Sequence, residues 1–196
     1  MEKTSKATDP RFDRTESDLM EAFQILTRKK DPEKITVQEI TKLAGVTRTT
    51  FYNHYVDMPS LTDAVETQLL REIFTMMRSF HPEGNDEICR IFFRSLCGFI
   101  QQNSFLARML ATPRANAFIE RALSMFQHYV RSTLEESPRS AEEQQAVTYA
   151  ISYAIGGVVG VLHGWALSKC AQPPEAVAGF LTRLFLDGMR PYLREG

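Results

Sequence analysis

The side chains in this 196-residue chain best suited to chemistry fall in one short run, Thr47-Arg48-Thr49-Thr50-Phe51-Tyr52-Asn53-His54-Tyr55. They are not arranged for catalysis: no nucleophile stands beside a base, and GxSxG, HExxH and phosphate-loop signatures are absent from the chain, which predicts that it is not an enzyme. What the run offers is a row of hydrogen-bonding groups on one side of a helix. At about 100° per residue, Phe51 and Tyr55 fall together, while Arg48, Thr49, Tyr52 and Asn53 spread over the other side. Arg is suited to bidentate contact with guanine, Asn to adenine, and Thr and Tyr to phosphates or the thymine methyl. No carboxylate occurs between Glu39 and Asp57, whereas Lys42 and Arg48 both do, so acids are kept out of the one stretch that would approach phosphates. A bland helical hairpin with solvated polar side chains would not need so aromatic a run as Phe51–Tyr55 near its surface.

Those groups need a rigid frame, and the flanking residues supply one. Thr36-Val37-Gln38-Glu39 is a capping box opening a short helix, Val37 to Leu43, with Val37, Ile40, Leu43 and Ala44 expected to face inward. Gly45 follows, able to take the left-handed turn conformation. Thr47 caps the next helix, Arg48 to Tyr55. Two capped helices joined by a tight glycine turn form a helix-turn-helix, whose second helix would enter a DNA major groove. A preceding helix opens at Asp9-Pro10, carries Leu19, Phe23 and Leu26 as its apolar stripe, and stops at Asp31-Pro32. Asp57-Met58-Pro59 is read as a break before a longer helix capped at Ser60.

Residues 10–65 resemble the DNA-binding domain of the TetR family of one-component bacterial transcription regulators. The likeness rests on Ala22-Phe23, on Ile35-Thr36-Val37-Gln38-Glu39-Ile40, and on Ala44-Gly45-Val46-Thr47-Arg48-Thr49-Thr50-Phe51-Tyr52-Asn53-His54-Tyr55 continuing into Leu61. It implies an all-α protein with a three-helix DNA-reading head, residues 1–58, on a larger helical dimerisation and ligand-binding body, residues 59–196. It further implies that Thr36 and Gln38 meet the DNA edge, that Arg48, Thr49, Thr50 and Asn53 face bases, and that Tyr52 and His54 hold phosphates, with Thr47 also among the DNA-binding residues. The implied partners are a double-stranded palindromic operator, a second copy of the chain, and a small-molecule effector in a cytoplasmic setting. One position departs from the family: members often carry Lys where this chain has Met58, which leaves phosphate clamping there to helix-start amides. The head also balances ten basic against ten acidic residues. That predicts modest non-specific affinity and strong salt sensitivity. The rival reading keeps the architecture but acts through a protein partner with weak or no DNA binding.

The rest of the chain sets limits. Twenty-three basic against 24 acidic side chains exclude nucleic-acid coating by bulk charge. Cys89, Cys97 and Cys170 form no CxxC pair, and neither His128 nor His163 has a Cys or His at ligand spacing, so no metal or other cofactor is expected and both histidines read as satisfied core groups. The charged N-terminus has no apolar core of a secretory signal. Body helices are predicted at about 86–103, 104–111, 114–136, 141–169 and 175–193. Residues 144–168 carry no charge and are long enough to span a bilayer, but their Gln, Thr, Ser, Gly and His content favours a buried helix and no membrane. Gly156, Gly160 and Gly164 cost roughly 1 kcal/mol each against Ala in a helix, which a close helix approach would offset. With Phe180 and Leu184 of the last helix they are predicted to form a four-helix dimer seam. Phe93, Cys97, Met109, Phe126, Tyr129, Tyr149 and Tyr153 are the candidate lining of an effector cavity.

Overall fold

The computed structural model describes residues 10–78, 86–112, 115–134 and 140–189, with the side chains of 129–134 and 189 left aside. Asp9 and the end of the last predicted helix therefore lie outside the described residues. Among the described residues every regular element is helical: α1 (Pro10–Thr27), a 3-10 turn (Pro32–Lys34), α2 (Val37–Ala44), α3 (Arg48–His54), α4 (Met58–Arg78), α5 (Asp86–Gln102), α6 (Ser104–Leu110), α7 (Ala115–Leu134), α8 (Ala141–Leu167) and α9 (Pro174–Met189). The chain divides into two compact units, Met1–Gln68 and Leu69–Gly196.

In the first unit, Leu19, Ala22 and Phe23 of α1 bury against Ile40 of α2 and Phe51 of α3, all at 2% exposure or less. Burial of this depth is worth roughly 1.5–3 kcal/mol for each large side chain, so these few residues hold α2 and α3, of 8 and 7 residues, which would not persist alone. Two expectations change here. Leu43 is 47% exposed and Thr41 is buried in its place. The inward stripe of α2 is Val37, Ile40, Thr41 and Ala44, at i, i+3, i+4 and i+7, and Leu43 lies off it. And α4 begins at Met58, not Ser60: Asp57 Oδ1 accepts from the Ser60 amide at 2.8 Å, and Ser60 Oγ accepts from the Asp57 amide at 3.2 Å. Pro59 therefore sits in the first turn, where an amide has no intrahelical partner to lose.

The second unit is a helical bundle. Its most extensive packing joins α5 to α9, with Cys89 and Leu186 buried between them and Ile88, Phe92 and Phe185 packed around. α8 packs on α9 and α7 through Val147 and Ile151, which meet Phe126 and Phe185. The α8–α9 turn is closed by Trp165 Nε1 donating to the Gln172 carbonyl at 3.0 Å. α6 is capped by Asn103, whose Oδ1 accepts from the Leu106 amide at 2.9 Å.

The structure corrects the reading of α8 as a fully buried helix. It is long and apolar enough to cross a membrane by length and composition, yet only 22% of its most apolar stretch is buried within the chain. Val147, Ile151, Leu162, Trp165 and Ala166 face the bundle. The opposite face stands open.

Candidate functional site

The turn between α2 and α3 is built as the sequence predicts. Gly45 takes φ 70°, ψ 27°. Its amide and that of Val46 both bond the Thr41 carbonyl, closing α2. Thr47 opens α3 by accepting from the Thr50 amide at 3.1 Å, and the Thr47 and Thr50 hydroxyls lie 2.8 Å apart. Phe51 is fully buried and Tyr55 is 6% exposed, so α3 is anchored from beneath by its aromatics. The Tyr55 hydroxyl donates to Glu16 Oε1 of α1 at 3.4 Å, and burial and the Glu16 charge push its pKa up.

This anchoring turns Arg48, Thr49, Tyr52 and Asn53 outward, all four exposed and Tyr52 at 56%. Arg48 Nη2 donates to Gln38 Oε1 at 3.0 Å, which joins the exposed start of α3 to the exposed face of α2. Thr36 and Thr47 are both N-caps, their hydroxyls bonded within the first turns of α2 and α3. Thr50 is half-buried, closer to the cap than to the outer face. His54 stacks on Phe12 of α1, ring centroids 3.8 Å apart at 26°, and its Nδ1 is buried with no hydrogen-bond partner among the described residues. Phe12, in α1, is a site neighbour the sequence reading did not single out. A 41%-exposed phenylalanine at a helix start carries no signal of its role until the fold brings it to His54.

A carboxylate fixes the edge of this surface. Lys30 Nζ donates to both oxygens of Glu39 at 2.8 Å, and Glu39 Oε2 accepts from the Thr36 amide at 2.9 Å and hydroxyl at 2.8 Å. The Lys30 ammonium, then the Thr36 hydroxyl and amide, hold the Glu39 carboxyl down to about 2. A carboxyl whose folded value lies below its ordinary one stabilises the fold above about pH 4.5, and that support fades as pH falls toward about 2. Melting curves followed by circular dichroism should therefore fall more steeply between about pH 5 and pH 2 for wild type than for Glu39→Gln. Parallel profiles would show that this ion-paired cap contributes nothing to stability.

The second unit holds a cavity of about 130 Å³. Residues of α4 through α9 line it, among them Phe74, Phe93, Leu110, Phe126, Ile155 and Phe185. Of the candidate lining residues, Phe93 and Phe126 are there. Cys97 and Met109 are buried elsewhere in the unit, and Tyr129 falls outside the described side chains. Tyr149 and Tyr153 are 68% and 78% exposed on the open face of α8, which corrects their placement in a pocket. An uncharged helix has two apolar faces, and residue type alone does not say which one turns inward. His128 is exposed, not a core group, while His163 Nδ1 lies 2.6 Å from the Leu110 carbonyl as a satisfied histidine would.

The open face of α8 carries Gly156, Gly160 and Gly164, and a Cβ built at any of them would meet nothing within 4 Å. Phe180 and Leu184 of α9 are 46% and 51% exposed. Beside Tyr149, Tyr153 and Leu167 these residues form an apolar surface that the other described residues leave exposed.

The chain thus pairs a helix-turn-helix unit with an all-α bundle that holds an apolar cavity. A family model described as "Transcriptional regulator C-terminal region" (TetR_C_8) matches residues 87–187, and the chain belongs to the TetR family of transcriptional regulators. Solved structures agree in fold. A TetR-family regulator from Streptomyces coelicolor is 14% identical with a TM-score of 0.69, covering 92% of this chain and 82% of that one. The dihydroxyacetone kinase operon activator DhaS is 15% identical with a TM-score of 0.66, covering 92% and 98%. The Thermus thermophilus repressor FadR, solved in complex with lauroyl-CoA, is 22% identical with a TM-score of 0.56, covering 89% and 94%. No curated protein matches the sequence.

Proposed function

We propose that this chain is a cytoplasmic DNA-binding regulator that reads a palindromic operator as a homodimer, through α3, and responds to a small-molecule effector held in the cavity of its second unit. The observation that carries this reading is the outward row Arg48, Thr49, Tyr52 and Asn53 on a helix anchored by Phe51 and Tyr55, with Gln38 joined to Arg48 beside it. In this arrangement Arg48 and Asn53 contact base edges, Tyr52 and His54 hold phosphates, and the stack on Phe12 sets the plane of the His54 ring. Thr36 and Thr47 contribute mainly by capping, which aims the amides of α2 and α3 outward.

A single α3 spans only a few base pairs, so useful specificity needs two half-sites about 34–36 Å apart. The uncovered face of α8 and α9 supplies the surface for the second copy: its glycines admit close helix approach, and Tyr149, Tyr153, Phe180 and Leu184 bury on association. An effector that prefers one spacing of the two recognition helices shifts DNA binding by its differential affinity for the two states.

Selecting bound duplexes from a random pool tests the reading. The proposal predicts enrichment of an inverted repeat with half-site centres about one helical turn apart. A pool that stays random through successive rounds at low salt would favour a regulator that works through a protein partner.

A further inference from the structure

We infer that the guest of the second-unit cavity is a compact, uncharged hydrocarbon group, an aromatic ring or a short alkyl segment, with no hydrogen-bonding atom in its buried part. This deepens the effector reading above and rests on it. Among the described residues every one that lines the cavity is apolar, from Leu70 on α4 to Phe185 on α9, and none of these lining side chains bears a donor or acceptor for polar atoms of a guest. One polar pair beside the lining is closed on itself. The Leu110 carbonyl is bonded by His163, the neighbour of lining residue Leu162, at 2.6 Å. A hydroxyl or carboxylate carried inside would lose its water and find no replacement, a penalty of about tenfold or more in affinity for a hydroxyl and far more for a charge.

Size limits the guest as well. The cavity measures about 130 Å³. An apolar cavity of roughly 150 Å³ lined by Leu, Ile and Phe stays dry in another protein and takes benzene. One ring or a few methylenes fill such a space. Met77 and Met125, unbranched and adaptable, are the lining residues best able to yield to a slightly larger group.

Two sources of this group are distinguishable: a free small hydrocarbon, or the end of a fatty chain whose polar head stays outside. Titration calorimetry of the full chain with toluene, phenol, benzoate and decanoate separates them. Toluene should bind at least tenfold more tightly than phenol, and benzoate should give no heat of binding. Binding of decanoate but not toluene assigns the chain-end source, and the reverse assigns the free hydrocarbon. Ala122→Phe and Val159→Phe, each placing a ring into the cavity, should abolish the heat of toluene or decanoate while keeping the helical circular dichroism signal and melting temperature of the free protein. With the wild-type chain two results overturn the inference: phenol or benzoate binding as tightly as toluene, or no binding of either hydrocarbon probe. Unchanged hydrocarbon binding in whichever filling variant melts like wild type overturns it too. These readouts involve no DNA. A protein that takes toluene but selects no duplex sinks the regulator reading and leaves the guest assignment intact.

Discussion

Gly160→Leu is expected to turn a dimer into monomers without harming the fold of either copy. Within one chain a Cβ added at position 160 meets nothing within 4 Å, so the side chain starts out into open space. Leu also favours a helix interior over Gly by most of about 1 kcal/mol, so the isolated bundle should melt no lower than wild type. Against a second copy the result reverses. A leucine in the middle of a glycine stripe holds two α8 helices apart along their length, and Tyr153, Phe180 and Leu184 lose their partners together. Light scattering should report half the mass, and operator affinity should fall by about a hundredfold or more, because each head then binds without the other's effective concentration. A Gly160→Leu protein that remains fully dimeric contradicts close approach through α8.

Replacing Arg48 and Asn53 by Ala should have the other large effect, on recognition instead of assembly. Each bidentate base contact discriminates by about 1–3 kcal/mol. A homodimer loses every such contact twice, so one substitution removes about 2–6 kcal/mol, a weakening of roughly 30-fold at the least. Both side chains are exposed and neither belongs to the buried group of Phe51, Tyr55 and Ile40, so the melting temperature should stay within a degree or two of wild type. Arg48→Ala also frees Gln38 from its 3.0 Å partner, so its effect includes the loss of that pairing. Tyr52→Ala, by contrast, should weaken specific and scrambled duplexes alike, as loss of a phosphate contact does.

Much of the first unit was legible because its signals are local. A capping box at Thr36–Glu39, a left-handed glycine at 45 and a threonine cap at 47 each act within four residues, and the structure contains all three. Pro59 misled because proline as a helix breaker and proline in a first turn look the same until the Asp57–Ser60 exchange of bonds is seen. Leu43 is the more hydrophobic of the two, yet the 3.6-residue stripe of α2 puts Thr41 inside and Leu43 out. In the second unit the relevant contacts are between helices far apart in sequence. Leu70, Ile73, Phe74 and Met77 do recur at helical spacing and mark the cavity-facing side of α4, a signal the sequence reading passed over. Beyond its first turn, nothing comparable separates the inner from the outer face of α8, where Val147 and Ile151 turn in and Tyr149 and Tyr153 turn out of an uncharged stretch. Its lack of charge records two buried faces, one against its own bundle and, in our proposal, one against a second copy.

The most direct measurement follows fluorescence anisotropy of the purified protein on its selected duplex and on a scrambled one, beside the Arg48→Ala/Asn53→Ala variant. Outward side chains of α3 that read bases predict tight, salt-sensitive binding of wild type to the selected duplex alone. The variant, with unaltered melting, should bind both duplexes equally and weakly. Equal binding by wild type and variant would place recognition somewhere other than α3.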